Sequence, residues 1–65
     1  MNITPRQEQA LRLVAEGMST DEIAEALQIP PRGAKYLVEE LRRRAGVERK
    51  RHLIPFARVY FEETR

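Results

Sequence analysis

Apolar residues recur along the chain at the three- and four-residue spacings of an α-helix, in four separate stretches. The clearest stretch covers residues 31–45. Its apolar positions, which share one side of a helix, are Ala34, Leu37, Val38, Leu41 and Ala45. The opposite side, called here the outer face, consists of Arg32, Lys35, Tyr36, Glu39 and Arg43. The pattern predicts a helix that docks on a small core through a narrow stripe and presents long, mostly basic side chains outward.

Two capping boxes mark the starts of the first two helices. Thr4 lies three residues before Gln7, and a proline that suits the first helical position follows it. Ser19 stands in the same relation to Glu22. In each box the hydroxyl can accept a hydrogen bond from a backbone N–H of the first helical turn, which has no partner inside the helix.

Glycine and proline mark where these helices end. Gly17 and Gly46 suit the left-handed position that closes a helix. Pro30 disfavours helical geometry at Ile29, whereas Pro31 suits the first position of the next helix, so a tight turn separates the second helix from the third. The predicted helices cover residues 4–16, 19–28, 31–45 and about 52–63.

The last predicted helix follows a basic link at residues 47–51 and is apolar on more than one side. A domain this small cannot cover all of that surface, so we expect a second copy of the chain to cover it. Pro55 lies either in the first turn of a helix that begins near Ile54 or at a kink. The residues expected at the dimer contact are Ile54, Phe56, Val59, Tyr60 and Phe61.

Length and composition exclude several classes of protein. The 65 residues predict a single domain, 1–65, whose small core makes association with a second copy useful for stability. The chain has no cysteine, and its single histidine, His52, cannot form a metal site alone, so we expect no metal and no cofactor. No nucleophile or carboxylate pair has the spacing of a catalytic group, and we expect no enzyme activity. Without an apolar run of about 20 residues or a signal peptide, the protein is expected to be cytoplasmic and not membrane-bound.

The net charge of +2 hides a strong asymmetry along the chain. Residues 1–31 contain two Arg against five Asp and Glu, a net charge of −3. Residues 32–51 contain eight Lys and Arg against three Glu, a net charge of +5. Positive charge is therefore concentrated on the third helix and just after it, which favours a nucleic-acid partner.

The outer face of the third helix carries the candidate base contacts, namely Arg32, Lys35, Tyr36 and Glu39. Arg and Lys can bind guanine in the major groove, and Glu can accept from cytosine N4. Candidate phosphate contacts lie at helix starts and in the basic segment: Thr4, Arg6, Ser19, Thr20, Arg43, Arg49, Lys50 and Arg51. Each group also has an explanation that does not involve DNA. Polar helix faces are usually solvated, capping residues serve their own helices, and basic clusters increase solubility.

The chain resembles the LuxR-type, or GerE-type, helix-turn-helix DNA-binding domain over nearly its whole length. The residues that carry the resemblance are Ile3-Thr4-Pro5-Arg6, Leu11 to Gly17, Ser19 with Glu22-Ile23-Ala24 and Leu27, and the spacing from Ile29 through Val38 and Leu41 to Gly46-Val47. The resemblance implies an all-α, four-helix fold in which helix 3 enters the major groove, helix 2 braces it and helix 4 serves for dimerisation. Because Met1 lies close to the first cap, we expect a stand-alone domain without a built-in sensor.

The chain departs from the family pattern around the start of helix 3. Pro30 replaces the usual capping serine, Gly33-Ala34 replaces Thr-Val, Leu37 replaces a frequent histidine and Gln28 replaces the glycine of the turn. We expect these changes to affect base specificity more than the fold.

The leading hypothesis is a small bacterial transcriptional regulator that binds a specific sequence of duplex DNA as a homodimer. The alternative is a protein interaction module of the same fold, which binds RNA polymerase or another LuxR-type regulator without selecting a sequence. A sigma-factor DNA-binding region shares the Ile23-Ala24 and Leu27 pattern, but the early start of the chain argues against it.

Overall fold

The computed structural model describes residues 2–63, which form an all-α fold as predicted. Its helices are α1 (Pro5–Ala15), α2 (Thr20–Leu27), α3 (Pro31–Ala45) and α4 (Lys50–Glu63). The predicted start of α4 at about residue 52 was two residues late, and the predicted basic link at 47–51 is shorter, because Lys50 and Arg51 already belong to its first turn. Within the described residues, none of the helices has the length and apolarity to cross a membrane.

Both capping boxes form as predicted. The Thr4 Oγ1 accepts a hydrogen bond from the Gln7 backbone N–H at 3.1 Å, and the Gln7 Oε1 accepts from the Thr4 N–H at 2.9 Å. Ser19 and Glu22 exchange the equivalent bonds at 3.1 and 2.8 Å. Each box satisfies two backbone donors at a helix start, so the direction in which α1 and α2 leave their turns is set by local chemistry.

The first three helices end in the same way. A residue with positive φ follows each of them, and the next backbone N–H reaches back to a carbonyl five residues earlier, which is the Schellman arrangement. The three bonds run from Met18 to Leu13 at 3.2 Å, from Ile29 to Ala24 at 3.0 Å and from Val47 to Arg42 at 3.0 Å. The left-handed residues are Gly17, Gln28 and Gly46, with φ of 85°, 57° and 73°. Gln28 is thus the one non-glycine residue among the three.

Gln28→Gly is expected to stabilise the protein. A side chain in the left-handed region costs energy that glycine avoids, so the free energy of unfolding should rise by up to about 1 kcal/mol. Urea denaturation followed by circular dichroism measures the change. Gln9→Gly is the matched control, because Gln9 is exposed inside α1 and should lose roughly 0.5 to 1 kcal/mol. A loss of stability in both variants would contradict the strain assigned to Gln28.

The core lies where α1 and α3 cross the other two helices. α1 packs against α2, α3 and α4, while α3 packs against α1, α2 and α4. The buried apolar side chains are Ala10, Leu11, Val14, Ile23, Ala24, Ala34, Val38, Leu41, Leu53 and Ala57. Because α3 contributes only its narrow stripe to this core, its opposite side remains on the surface.

α4 covers α1 with much of its apolar surface. Leu53 and Ala57 are fully buried, and the Arg58 Nε donates to the carbonyl of Ala15 at 3.0 Å. Pro55 lies inside the helix, so a start near Ile54 was wrong.

The predicted dimer residues are therefore only partly available to a second copy. Ile54, Phe56, Tyr60 and Phe61 are half-buried and pack against the chain's own core. The guanidinium of Arg12 lies over the Phe61 ring, 4.4 Å from its centroid. Val59, with 50% of its surface exposed, is the large apolar residue of α4 that faces solvent most. The tertiary structure thus covers more of α4 than the sequence pattern indicated.

Candidate nucleic-acid interface

A three-residue turn, 28–30, joins α2 to α3 and sets the position of the outer face. The left-handed Gln28 reverses the chain, and Ile29 packs against the core. The carbonyl of Pro30 accepts hydrogen bonds from the backbone N–H groups of Gly33 at 2.9 Å and Ala34 at 3.2 Å, which starts α3 without a side-chain cap. The turn therefore fixes α3 on α2 while the first turn of α3 stays at the surface.

The outer face of α3 projects away from the core, as its spacing predicted. Arg32, Lys35 and Tyr36 are exposed, Tyr36 to 61%, and Glu39 is half-buried. Within residues 2–63, the side chains of these four residues take part in no hydrogen bond or ion pair of the structure. The fold leaves their polar groups available to a ligand.

Gly33 is not required by the fold. A Cβ built on it would lie 3.6 Å from the Ile29 Cδ1 and 3.9 Å from the Pro30 Cδ, which are ordinary contacts. Glycine in a helix costs up to about 1 kcal/mol relative to alanine. The bare backbone beside Arg32 leaves room for close approach of a ligand to the first turn of α3.

The basic residues divide into those held by the fold and those that project from it. The Arg43 Nη1 binds the Glu40 Oε1 at 2.6 Å, the Arg44 Nη1 donates to the carbonyl of Asn2 at 2.8 Å, and the Lys50 Nζ donates to the carbonyl of Met18 at 2.5 Å. The Arg42 side chain donates to the carbonyl of Glu48.

Other basic side chains are exposed and make no hydrogen bond or ion pair with the described part of the chain. Among the predicted phosphate contacts these are Arg6, Arg49 and Arg51. Arg43 and Lys50, by contrast, already have partners inside the chain. Sequence reasoning missed the bond of Lys50, because its acceptor lies 32 residues away and has no local signature. Arg49 and Arg51 are therefore the members of the basic segment that are ready to bind an anion.

Ser19 caps α2 and lies close to an acidic side chain, Glu22, whose charge interacts with that of Lys50. The hydrogen bond from its backbone N–H is the main reason that the pKa of the Glu22 carboxyl lies below the ordinary value of 4.5, and the Ser19 side chain and the charge of Lys50 lower it further. Thr20 follows in the first turn of α2 and is half-buried. A phosphate that approaches Ser19 and Thr20 would meet their hydroxyls and the negative charge of Glu22 together.

Glu22→Gln is expected to reduce stability in a pH-dependent way. Ionised Glu22 stabilises the fold above its unfolded-state pKa, and this contribution disappears as the pH falls through the lower pKa of the folded state. Gln keeps an acceptor for Ser19 but cannot titrate, so the thermal midpoint should fall at about pH 7 and approach that of the wild type at about pH 3. Glu25→Gln removes the same charge from an exposed position of the same helix and is the matched control, with little change expected in the thermal midpoint. A deficit of E22Q that stays constant across the pH range would contradict the assignment.

Several groups of described residues are suited to contact an anionic polymer. Unpaired basic side chains lie on the outer face of α3 and at the start of α4, and two capped helix starts add backbone donors. Within residues 2–63, no group of three or more His, Asp or Glu side chains lies close enough to hold a metal ion.

Comparison with known proteins identifies this arrangement of helices. The family model for bacterial regulatory proteins of the luxR family (GerE) matches residues 1–57, which include α1, α2, α3 and the first half of α4. No curated protein and no solved structure gives a significant match.

Proposed function

The chain belongs to the luxR family of bacterial regulatory proteins, and on that basis we propose that it is a sequence-specific transcriptional regulator, not an enzyme, that works on cytoplasmic DNA. The family supports a DNA-binding helix-turn-helix regulator in general. The observation that carries the specific proposal is the outer face of α3, where Arg32, Lys35 and Tyr36 are exposed and lack partners among the described residues. A helix with such a face can enter the major groove while α2 supports it from behind.

Base contacts are assigned to the exposed side chains near the start of α3. Arg32 can donate two hydrogen bonds to guanine O6 and N7, and Lys35 can bind guanine as a point charge. Tyr36 can contact a thymine methyl group or donate to a phosphate. These residues occupy the first two turns of α3, and the N-terminal residues of a recognition helix contact base edges.

Phosphate contacts are assigned to basic side chains and to helix starts. Arg6, Arg49 and Arg51 are available without any rearrangement, whereas Arg43 and Lys50 would exchange an internal partner for a phosphate. Thr4, Ser19 and Thr20 can add hydroxyl contacts at the starts of α1 and α2. Each basic contact steepens the salt dependence of binding by about one unit on a logarithmic scale.

We assign homodimerisation to α4. Val59 is 50% exposed, and Ile54, Phe56, Tyr60 and Phe61 are only half-buried, so part of the apolar surface of α4 stays open to a second copy. Two copies related by a two-fold axis would read half-sites roughly 10 bp apart.

The test is a selection from random duplexes by the purified protein at near-physiological salt, followed by titrations of the selected and a shuffled duplex. A palindromic sequence bound on the order of a thousandfold more tightly, with two chains per duplex, would support the dimeric regulator. Binding without preference, or no binding, would contradict it and would favour a protein interaction module. A pull-down with RNA polymerase would then be the next experiment.

A further inference from the structure

The outer face of α3 contains one acidic residue, Glu39, in a basic surrounding. Lys35 lies four residues before it and Arg43 four residues after it, both at a spacing that allows an ion pair on a helix. Arg43 pairs instead with Glu40, at 2.6 Å. The carboxylate of Glu39 makes no hydrogen bond or ion pair within residues 2–63. It is therefore not used to hold the helix or the fold together.

An unpaired carboxylate constrains what this face can bind. Phosphate oxygens repel it, and the guanine edge in the major groove offers only the acceptors N7 and O6. Cytosine offers the N4 amino group, which is a donor, whereas adenine places its N6 donor beside the acceptor N7. A residue that can only accept hydrogen bonds therefore matches cytosine better than any other base.

The position of Glu39 sets its distance from the guanine contact. Arg32, Tyr36 and Glu39 fall on one line along α3 at the spacing i, i+4 and i+7. Seven residues of α-helix advance by about 10 Å, which corresponds to about three base-pair steps of duplex DNA. Arg32 and Glu39 can thus contact two bases of the same half-site.

We propose that Glu39 is a specificity-determining residue that selects a cytosine about three base pairs from the guanine bound by Arg32. This inference rests on the proposed function, since it requires that α3 enters the major groove. It extends that function by stating which bases the half-site contains and which side chain distinguishes them.

The experiment compares the sequences selected by the wild type, Glu39→Gln and Glu40→Gln. Glutamine has a donor as well as an acceptor and matches adenine N6 and N7, so E39Q should change the selected base from cytosine to adenine. E39Q should bind the sequence selected by the wild type about fivefold more weakly than the same sequence with adenine in place of that cytosine. E40Q changes the same charge on the same helix and should retain cytosine. Circular dichroism of both variants checks that the helices are intact.

The outcomes distinguish this inference from the proposed function. If the wild type selects a sequence but E39Q selects the same base at every position, the inference is wrong and the function stands. The same holds if E40Q causes the same change, because the effect would then come from charge alone. If the wild type selects no sequence, the proposed function fails, and the role of Glu39 fails with it.

Discussion

Replacing Leu41 by alanine is expected to remove most of the stability of the protein. Leu41 is fully buried on α3, which, like α1, packs against all three other helices. Truncation of a buried leucine costs about 2 to 5 kcal/mol, because apolar contacts are lost and a cavity remains. A core of this size supplies only about 3 to 5 kcal/mol in total. The helical circular dichroism signal through a urea titration should show a variant that is close to half unfolded without denaturant.

Leu37→Ala is the matched control for this substitution. Leu37 lies one turn earlier on the same helix but is half-buried, so its truncation should cost about 1 to 2 kcal/mol and leave the variant folded. Equal losses for the two variants would contradict the core position of Leu41, since the same helix propensity changes in both.

Arg32→Ala is expected to reduce affinity for the selected duplex about 5- to 150-fold, which corresponds to about 1 to 3 kcal/mol. Its side chain is exposed and has no partner within the described residues, so the fold should not change. The shuffled duplex should lose much less, because a base contact distinguishes sequences and a phosphate contact does not. Titration of both duplexes with the wild type and the variant measures the ratio directly.

Arg49→Ala provides the comparison for a phosphate contact. It should weaken binding to all sequences alike and reduce the slope of affinity against salt by about one unit. If Arg32→Ala instead weakened the selected and shuffled duplexes equally, Arg32 would not be a base contact. The pair of variants therefore separates sequence reading from charge attraction on the same protein.

The division of the basic residues affects how such experiments should be designed. Arg44 and Lys50 donate to carbonyls of distant segments, at Asn2 and Met18. Their removal would change the packing around α1 as well as the surface charge. A loss of DNA affinity in those variants would not identify a phosphate contact, whereas Arg49 and Arg51 offer a direct comparison.

The sequence predicted the fold more completely than it predicted the candidate site. Helical spacing placed Arg32, Lys35 and Tyr36 on the exposed side of α3, and the structure agrees. Spacing could not show that Arg43 binds Glu40 while Glu39 stays unpaired, because both carboxylates lie within reach of a basic side chain on the same helix. The base and phosphate contacts assigned to the residues of the site remain predictions, which the DNA experiments above test.

The sequence by itself determined the number, order and starts of the first three helices. Capping boxes at Thr4 and Ser19, together with left-handed glycines at Gly17 and Gly46, act through bonds between residues three to five positions apart. Such signals are local and can be read directly from the chain. The start of α4 at Lys50 was missed because no capping residue marks it and Lys and Arg are good helix formers.

Only the tertiary structure decided which surfaces remain open. The apolar pattern of α4 could not reveal that α1 and α3 cover much of it and leave Val59 exposed. The partners of Arg58 and Lys50 likewise lie 43 and 32 residues away. Helix formation depends on neighbours along the chain, whereas burial and long-range hydrogen bonds depend on how separate helices pack. That is why the sequence predicted the elements of this domain, and only their packing determined which side chains stay on the surface.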